Sequence, residues 1–264
     1  MSYAIALLLA LVTSISTSAF AADENAQLLN APVNRLDNES LQRGARDFVN
    51  YCLTCHSAKY MRYNRLTDLG LTDKQITDNL MFASSKIGDT MTVAMTPENG
   101  KAWFGNAPPD LSVEARIRGR DWLYSYLMGF YRDEKAPSGW NNLVFPNVAM
   151  PNVLWQLSGV NKLVKTDYED HERAQAAAIA VKGLVALEPD GEKYSVLQVE
   201  PDQRGTMTRA EYEAFVTDLV NYLDYMGEPI RNTRIHLGLL VLLFLGVLFV
   251  FAYALKRDYW KELH

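Results

Sequence analysis

Hydrophobic positions are arranged in two ways along these 264 residues. Near the two ends they run together, and between the ends they recur at helical spacing. The first run, Leu7 to Val12, leads to Ala19-Phe20-Ala21, a small-x-small pattern followed by Asp23-Glu24. That is the form of an export signal over residues 1–21, although its n-region carries only the α-amino charge. The second run, Leu237 to Leu255, is nineteen residues without a charge. At 1.5 Å per residue it reaches roughly 28 Å, about the thickness of a bilayer's hydrocarbon core. It predicts a transmembrane anchor over 235–255 and a short tail over 256–264. Lys256, Arg257 and Lys261 follow the run and Arg231 and Arg234 precede it, a weak bias toward a cytoplasmic tail. Tyr253, Tyr259 and Trp260 suit the inner interface.

Residues 22–230 remain, roughly 210 positions, enough for one domain with a real core and an embellishment. Helical patterning predominates there. Leu41 to Asn50 reads as a short helix, and Tyr60, Tyr63 and Leu66 recur just after it. Pro108-Pro109-Asp110-Leu111-Ser112 stops one helix and opens another, with Asp110 or Ser112 as N-cap. That helix continues through Val113 and Arg116, and Trp122 to Phe130 supplies an aromatic helix. Thr208-Arg209-Ala210-Glu211 fits a capping box. Tyr212, Phe215, Val216, Leu219, Leu223 and Met226 follow on one face, up to Gly227-Glu228-Pro229. Thr166 to Gln203 is acidic at both ends and Ala-rich in the middle, and reads as an inserted or partner-facing segment without chemistry of its own. The fold class is mainly α.

Chemistry enters with the cysteines. The chain has two, and both lie in Cys52-Leu53-Thr54-Cys55-His56, the attachment signature of a c-type haem. Thiols three positions apart on one turn can add to two vinyl groups, and the next residue then carries an imidazole under the iron. A structural zinc site needs four ligands, and His171, His236 and His264 show no such spacing. Leu53-Thr54 does not resemble a redox-active turn, and a disulfide here would close too small a loop to matter. Attachment outside the cytoplasm agrees with the export signal and orients the anchor: haem domain outside, tail inside. The net charge of −5 argues against nucleic acid.

An electron-carrying haem usually has a second protein ligand, and nine methionines are available. Met61 is too near His56, and Met81, Met128, Met207 and Met226 belong to helices or their approaches. Met91 and Met95 compete with Met150, which stands in Phe145-Pro146-Asn147-Val148-Ala149-Met150-Pro151. Two prolines prevent helix there and stiffen the loop. Met95 precedes a proline as well and stays a candidate. Arg116 is either a solvated helix residue or the partner of a haem propionate.

These motifs, in this order, resemble the cytochrome c1 family. The resemblance rests on Cys52 to Ser57 and Tyr60, then Trp103-Phe104-Gly105-Asn106-Ala107-Pro108-Pro109-Asp110-Leu111-Ser112 with Ala115-Arg116. The Phe145 to Pro151 loop, the last soluble helix and the C-terminal span complete it. It implies a class I cytochrome c-like haem domain holding one covalent haem c. Cys52 and Cys55 would bind it, His56 and Met150 would be its axial ligands, and Arg116 would meet a propionate. It further implies an electron-transfer subunit, not an enzyme on its own, within a bacterial ubiquinol–cytochrome c reductase. Cytochrome b and the Rieske iron–sulfur protein would be its partners, cytochrome c its acceptor, and the inner membrane with a periplasmic haem domain its location. Asn152 stands where a second proline is often found, which is expected to loosen the loop. A cysteine pair that some relatives carry after Gly129 is absent.

Overall fold

The computed structural model describes residues 26–191 and 193–261. The expected signal, 1–21, lies outside the described residues, as do the last three positions of the expected tail. About half of the described residues are helical, as the periodicity predicts. Contacts gather the chain into two compact units, each assembled from three segments.

One unit comprises Val33–Met95, Pro109–Arg116 and the chain from Asp218 onward. Asp37 opens its first helix, Asn38–Asp47, by accepting from the Ser40 N–H. Leu41, Gly44 and Ala45 face inward, and Phe48 lies 5.6 Å from the Tyr222 ring. Arg43 makes a bidentate pair with Asp218 at 2.6 and 3.0 Å. The core continues through Met61, Tyr63, Leu66, Ile76 and Met91 to Leu219 and Val220. Met91 sits in the short strand Thr90–Met91, fully buried, with the Tyr222 hydroxyl 3.5 Å from its sulfur. It is therefore a packing residue. Tyr63 and Leu66 are likewise core, whereas Tyr60 is 82% exposed.

This unit also holds the C-terminal helix, Arg231–Tyr259, which is long and apolar enough to cross a membrane and buries none of its apolar window in the described residues. It outruns the uncharged stretch at both ends. The preceding helix, Arg209–Gly227, begins at the expected capping box. Thr208 N–H donates to Glu211 Oε2 at 2.7 Å, and Glu211 N–H to Thr208 Oγ1 at 3.3 Å.

The other unit comprises the described residues up to Pro32, Thr96–Pro108 and Ile117–Thr217. Its antiparallel sheet has the strand order Ala26–Gln27, Val185–Asp190, Lys193–Arg204, Gly159–Tyr168. The segment read as an insertion thus supplies most of a sheet. Its register runs from Gly159 opposite Arg204 to Tyr168 opposite Tyr194. Two prolines conceal these strands in the sequence, because proline removes a ladder donor. Pro201 sits beside the register shift between Val160 and Asn161, and Pro189 near the turn of its hairpin. The Ala-rich middle is the helix His171–Ala180, which packs Ala174 and Ala178 on Val185 and Val196. Many of the acidic groups are locally engaged: Asp190 with Lys165 at 2.7 Å, Asp167 with the Ser195 hydroxyl, Asp170 as the cap of that helix.

A Cβ added at Gly44 would stand 2.0 Å from the Asp218 carbonyl oxygen and 2.7 Å from Tyr222 Cβ. Two helices approach there as closely as backbone permits. Gly44→Ala is expected to cost about 1–3 kcal/mol or more by forcing them apart. Denaturant unfolding of the full chain in detergent measures this, and an unchanged midpoint would mean the helices have room to spare.

Candidate functional site

The helix Asn38–Asp47 does not stop cleanly before the cysteines. It passes into a π turn, Phe48–Cys52, in which Leu53 N–H reaches back to Phe48 O at 2.9 Å. Such a one-residue widening is frequent at functional sites. Cys55 N–H and His56 N–H then both donate to Cys52 O, at 3.1 and 2.8 Å. The turn so closed puts Cys52, Cys55 and His56 on one short stretch of backbone, with both thiols free. Burial, aided by Asp47 and then Cys55, pushes the Cys52 thiol up to about 12. Burial raises Cys55 as well. Both remain protonated at neutral pH and are poor disulfide-exchange nucleophiles.

His56 is oriented from outside the turn. Its Nδ1 lies 2.8 Å from the Pro109 carbonyl oxygen. A carbonyl can only accept, so Nδ1 carries the proton and Nε2 keeps its lone pair. Desolvation lowers the His56 pKa, against smaller opposing effects of that bond and of Glu114 and Asp110, and keeps the ring neutral. Pro109 is itself held in place. Leu111 N–H donates to Ser57 O at 2.8 Å. Lys59 N–H donates to Asp110 Oδ2 at 2.9 Å, and Tyr60 N–H to Ser112 Oγ at 3.1 Å. Asp110 Oδ1 also accepts from Ser112 N–H at 2.9 Å. Asp110 serves this stitching, while the helix that follows starts only at Glu114.

Arg116 lies in the same unit, on the helix Glu114–Arg118. Its stem packs toward Gly227, where an added Cβ would be 3.1 Å from Arg116 Cγ. Its charge helps hold the Glu228 carboxyl below the usual range, a shift due first to the hydrogen bond from Arg234. Met95 is also in this unit, half-buried.

Met150 belongs to the sheet-bearing unit. Its loop is held less by proline than by asparagine. Asn142 Oδ1 accepts from Val144 and Phe145 N–H at 2.9 and 3.2 Å, while its Nδ2 donates to Tyr126 O at 2.8 Å. Asn141 Oδ1 accepts from Asn147 N–H at 2.8 Å. Asn147 occupies the left-handed region, φ 60°, which asparagine tolerates best among non-glycine residues. Asn152 is buried, and its Oδ1 accepts from Leu154 N–H at 3.1 Å. The expected loosening at Asn152 is thereby offset by an Asx-type turn. Two residues the motif reading passed over complete this region. Tyr126 directs its hydroxyl at Met150 Sδ, 3.4 Å away, and Arg118 lies over the rings of Trp122 and Phe145 at 4.7 and 5.6 Å. Their only sequence signal is the four-residue spacing of Arg118, Trp122 and Tyr126 on successive turns.

The donor set fits a covalent haem: two free thiols on one turn and a neutral imidazole whose second nitrogen is already bonded. Fold and site together define a mainly helical c-type haem protein with a candidate membrane helix. The cytochrome C1 family model matches residues 28–91, which include the whole attachment turn. The chain is 41% identical to cytochrome c1 of Allochromatium vinosum over 94% of each chain. It is 44% identical, over 93% of each chain, to a Nitrosomonas europaea protein named ammonia monooxygenase gamma subunit. Cytochrome c1 of Rhodospirillum rubrum is 30% identical over 86% of this chain and 83% of its own. The chain belongs to the cytochrome c1 family, the electron-transfer haem subunits of the bc1 complex, which bind one covalent haem c.

Asp47, five residues before Cys52, is buried, with Arg46 on Oδ1 at 2.8 Å and no hydrogen-bond partner for Oδ2 among the described residues. Burial raises its pKa, outweighing Arg46. A carboxyl raised in the folded state contributes stability below its unfolded pKa and loses it as pH climbs through the folded value. Asp47→Asn is therefore expected to flatten the fall in stability from about pH 4 upward. Unfolding midpoints of both proteins across that range measure the slope, and parallel curves would exclude Asp47 as its source.

Proposed function

We propose that this chain accepts one electron from the Rieske iron–sulfur protein and passes it to a cytochrome c, with cytochrome b as its membrane partner. In this reading Cys52 and Cys55 form the thioether links, His56 and Met150 are the axial ligands, and Arg116 meets a propionate. The bound haem would supply a one-electron couple. His56 and Met150 would hold that group from this chain's own residues, and a second protein ligand would favour outer-sphere transfer over oxygen chemistry. The observation that carries the reading is the His56 imidazole, bonded through Nδ1 to the Pro109 carbonyl and so unprotonated at Nε2, directly after the second of two free thiols.

The same proposal assigns residues 1–21 to a signal peptide, 22–230 to a periplasmic haem domain, 235–255 to the anchor and 256–264 to a cytoplasmic tail. The helix Arg231–Tyr259 supports the anchor, and covalent haem attachment supports a periplasmic domain. A second reading has one observation in its favour. The 44% identical relative is named as a subunit of ammonia monooxygenase, so an ammonia monooxygenase is the rival partner.

Two experiments test these assignments. Met150→Leu is expected to keep covalent haem, lose the near-infrared sulfur-to-iron band and lower the midpoint potential; an unchanged spectrum would turn attention to Met95. Tagged full-length protein, solubilised mildly from its own membrane, is expected to bring down cytochrome b and a Rieske protein. Recovery of monooxygenase subunits in their place would favour the rival.

A further inference from the structure

The unit that carries the attachment turn also holds a cavity of about 390 Å³ at the foot of the helix Arg231–Tyr259. Small-ligand sites measure roughly 300–1,000 Å³. Arg35, Asn38 and Arg65 line it, together with Asn232 and Thr233. The Arg35 side chain is only 10% exposed, and its Nη2 donates to the Tyr225 and Glu228 carbonyls. Its Nε has no hydrogen-bond partner among the described residues. Asp224 Oδ2 stands 3.6 Å from that Nε and is likewise without one. Burial lowers the Arg35 pKa by more than Asp224 raises it, so the cation is under-compensated where it sits. The other carboxylates nearby are engaged. Asp68, also on the wall, pairs with Arg65 at 2.6 Å and takes the Tyr225 hydroxyl at 3.3 Å. Glu228 pairs with Arg234 at 2.6 Å. With Arg231, which also acts on Arg35, four guanidinium groups stand against three carboxylates. The helix adds positive potential of its own. Ile230 sits at its N-cap without a capping side chain. The Arg234 N–H is bonded one turn back, to Ile230 O at 2.9 Å. Those of Asn232 and Thr233 precede it and have no acceptor within the helix.

We propose that this cavity binds the phosphodiester headgroup of an anionic phospholipid, with the Arg35 and Arg65 guanidinium groups and the Asn232 and Thr233 N–H groups as donors. The proposal rests on the assignment of 235–255 as the anchor. Depth selects a lipid over a soluble phosphate. Thr233 lies four residues before Leu237, where the uncharged run begins, or about 6 Å along a helix axis. The headgroup layer on each face of a bilayer is about 5–7 Å thick, so the donors stand level with lipid phosphates. Guanidinium groups match phosphate as bidentate donors, and a helix N-terminus is a ready-made phosphate site. The surplus positive charge favours a headgroup of net negative charge, such as phosphatidylglycerol, over zwitterionic phosphatidylethanolamine. Ile230 and Leu237, 58% and 60% exposed, present apolar surface to the acyl chains alongside.

In the test, full-length haem-loaded protein in detergent is titrated with phosphatidylglycerol, phosphatidylethanolamine or inorganic phosphate, and bound molecules are counted by native mass spectrometry. One phosphatidylglycerol is expected per chain, held about tenfold more tightly than phosphatidylethanolamine. Arg65→Gln and Thr233→Asp are each expected to weaken it about tenfold, in line with the loss of one charge-assisted hydrogen bond. A carboxylate in the first turn supports a helix, so Thr233→Asp opposes the lipid without endangering the fold. Thr233→Asn, uncharged, is expected to bind as the parent does. Equal retention by the parent and both charge variants, or no preference over phosphatidylethanolamine, would overturn the proposal. Inorganic phosphate competing at the same concentration as the lipid would overturn it in favour of a soluble anion. Carbonate washing of membranes reads the anchor separately. Loss of the chain into the wash would sink anchor and lipid site together, whereas a retained chain without the lipid preference loses the lipid site alone.

Discussion

The hydrogen bond from His56 Nδ1–H to the Pro109 carbonyl is the constraint on which the rest of this site depends. Two thiols and an imidazole on one turn are common chemistry. What makes the imidazole usable is that one nitrogen is occupied and the other is therefore a lone-pair donor with a set ring plane. The acceptor comes from fifty-three positions away and cannot wander, because Asp110, Leu111 and Ser112 bond the backbone from Ser57 to Tyr60. Proline suits position 109 for a further reason. It has no N–H of its own to satisfy, and it fixes φ next to the carbonyl that matters.

The Met150 loop is restrained by a different device. Prolines at 146 and 151 exclude helix, but exclusion does not choose a conformation. Asn141, Asn142 and Asn152 choose it, by giving buried side-chain acceptors to backbone N–H groups that a loop would otherwise leave unpaired. Each of these amides also answers the cost of its own burial, since a buried polar group without a partner is expensive. The arrangement extends outward to Tyr126 and the stacked Trp122, so the sulfur's surroundings are built from groups that share partners.

The candidate membrane helix and the sheet illustrate opposite relations between pattern and outcome. Residues 237–255 need no tertiary partner to be read, because nineteen uncharged positions satisfy the bilayer's one demand, internal hydrogen bonding along an apolar rod. The strands within 159–204 cannot be read so easily. Pro189 and Pro201 argue against them, and their charges look like a solvated surface until Asp190 meets Lys165 and Asp167 meets Ser195.

What the sequence determined by itself was whatever depends on near neighbours. The cysteines and His56 share one turn by covalent spacing. The capping box at Thr208 and Glu211, the helix after it and the apolar run at the end likewise follow from residues a few positions apart. Tertiary structure alone decided which groups meet across long separations. It selected Pro109 as the partner of His56, asparagine over proline as the main restraint on Met150, and Tyr126 as the neighbour of its sulfur. It also made Met91 a packing residue against Tyr222 and laid the Arg116 stem toward Gly227. The physical reason is the same in each case. Spacing along the chain specifies local geometry, whereas the partner of a buried polar atom is set by packing that brings distant segments to within 3 Å or so.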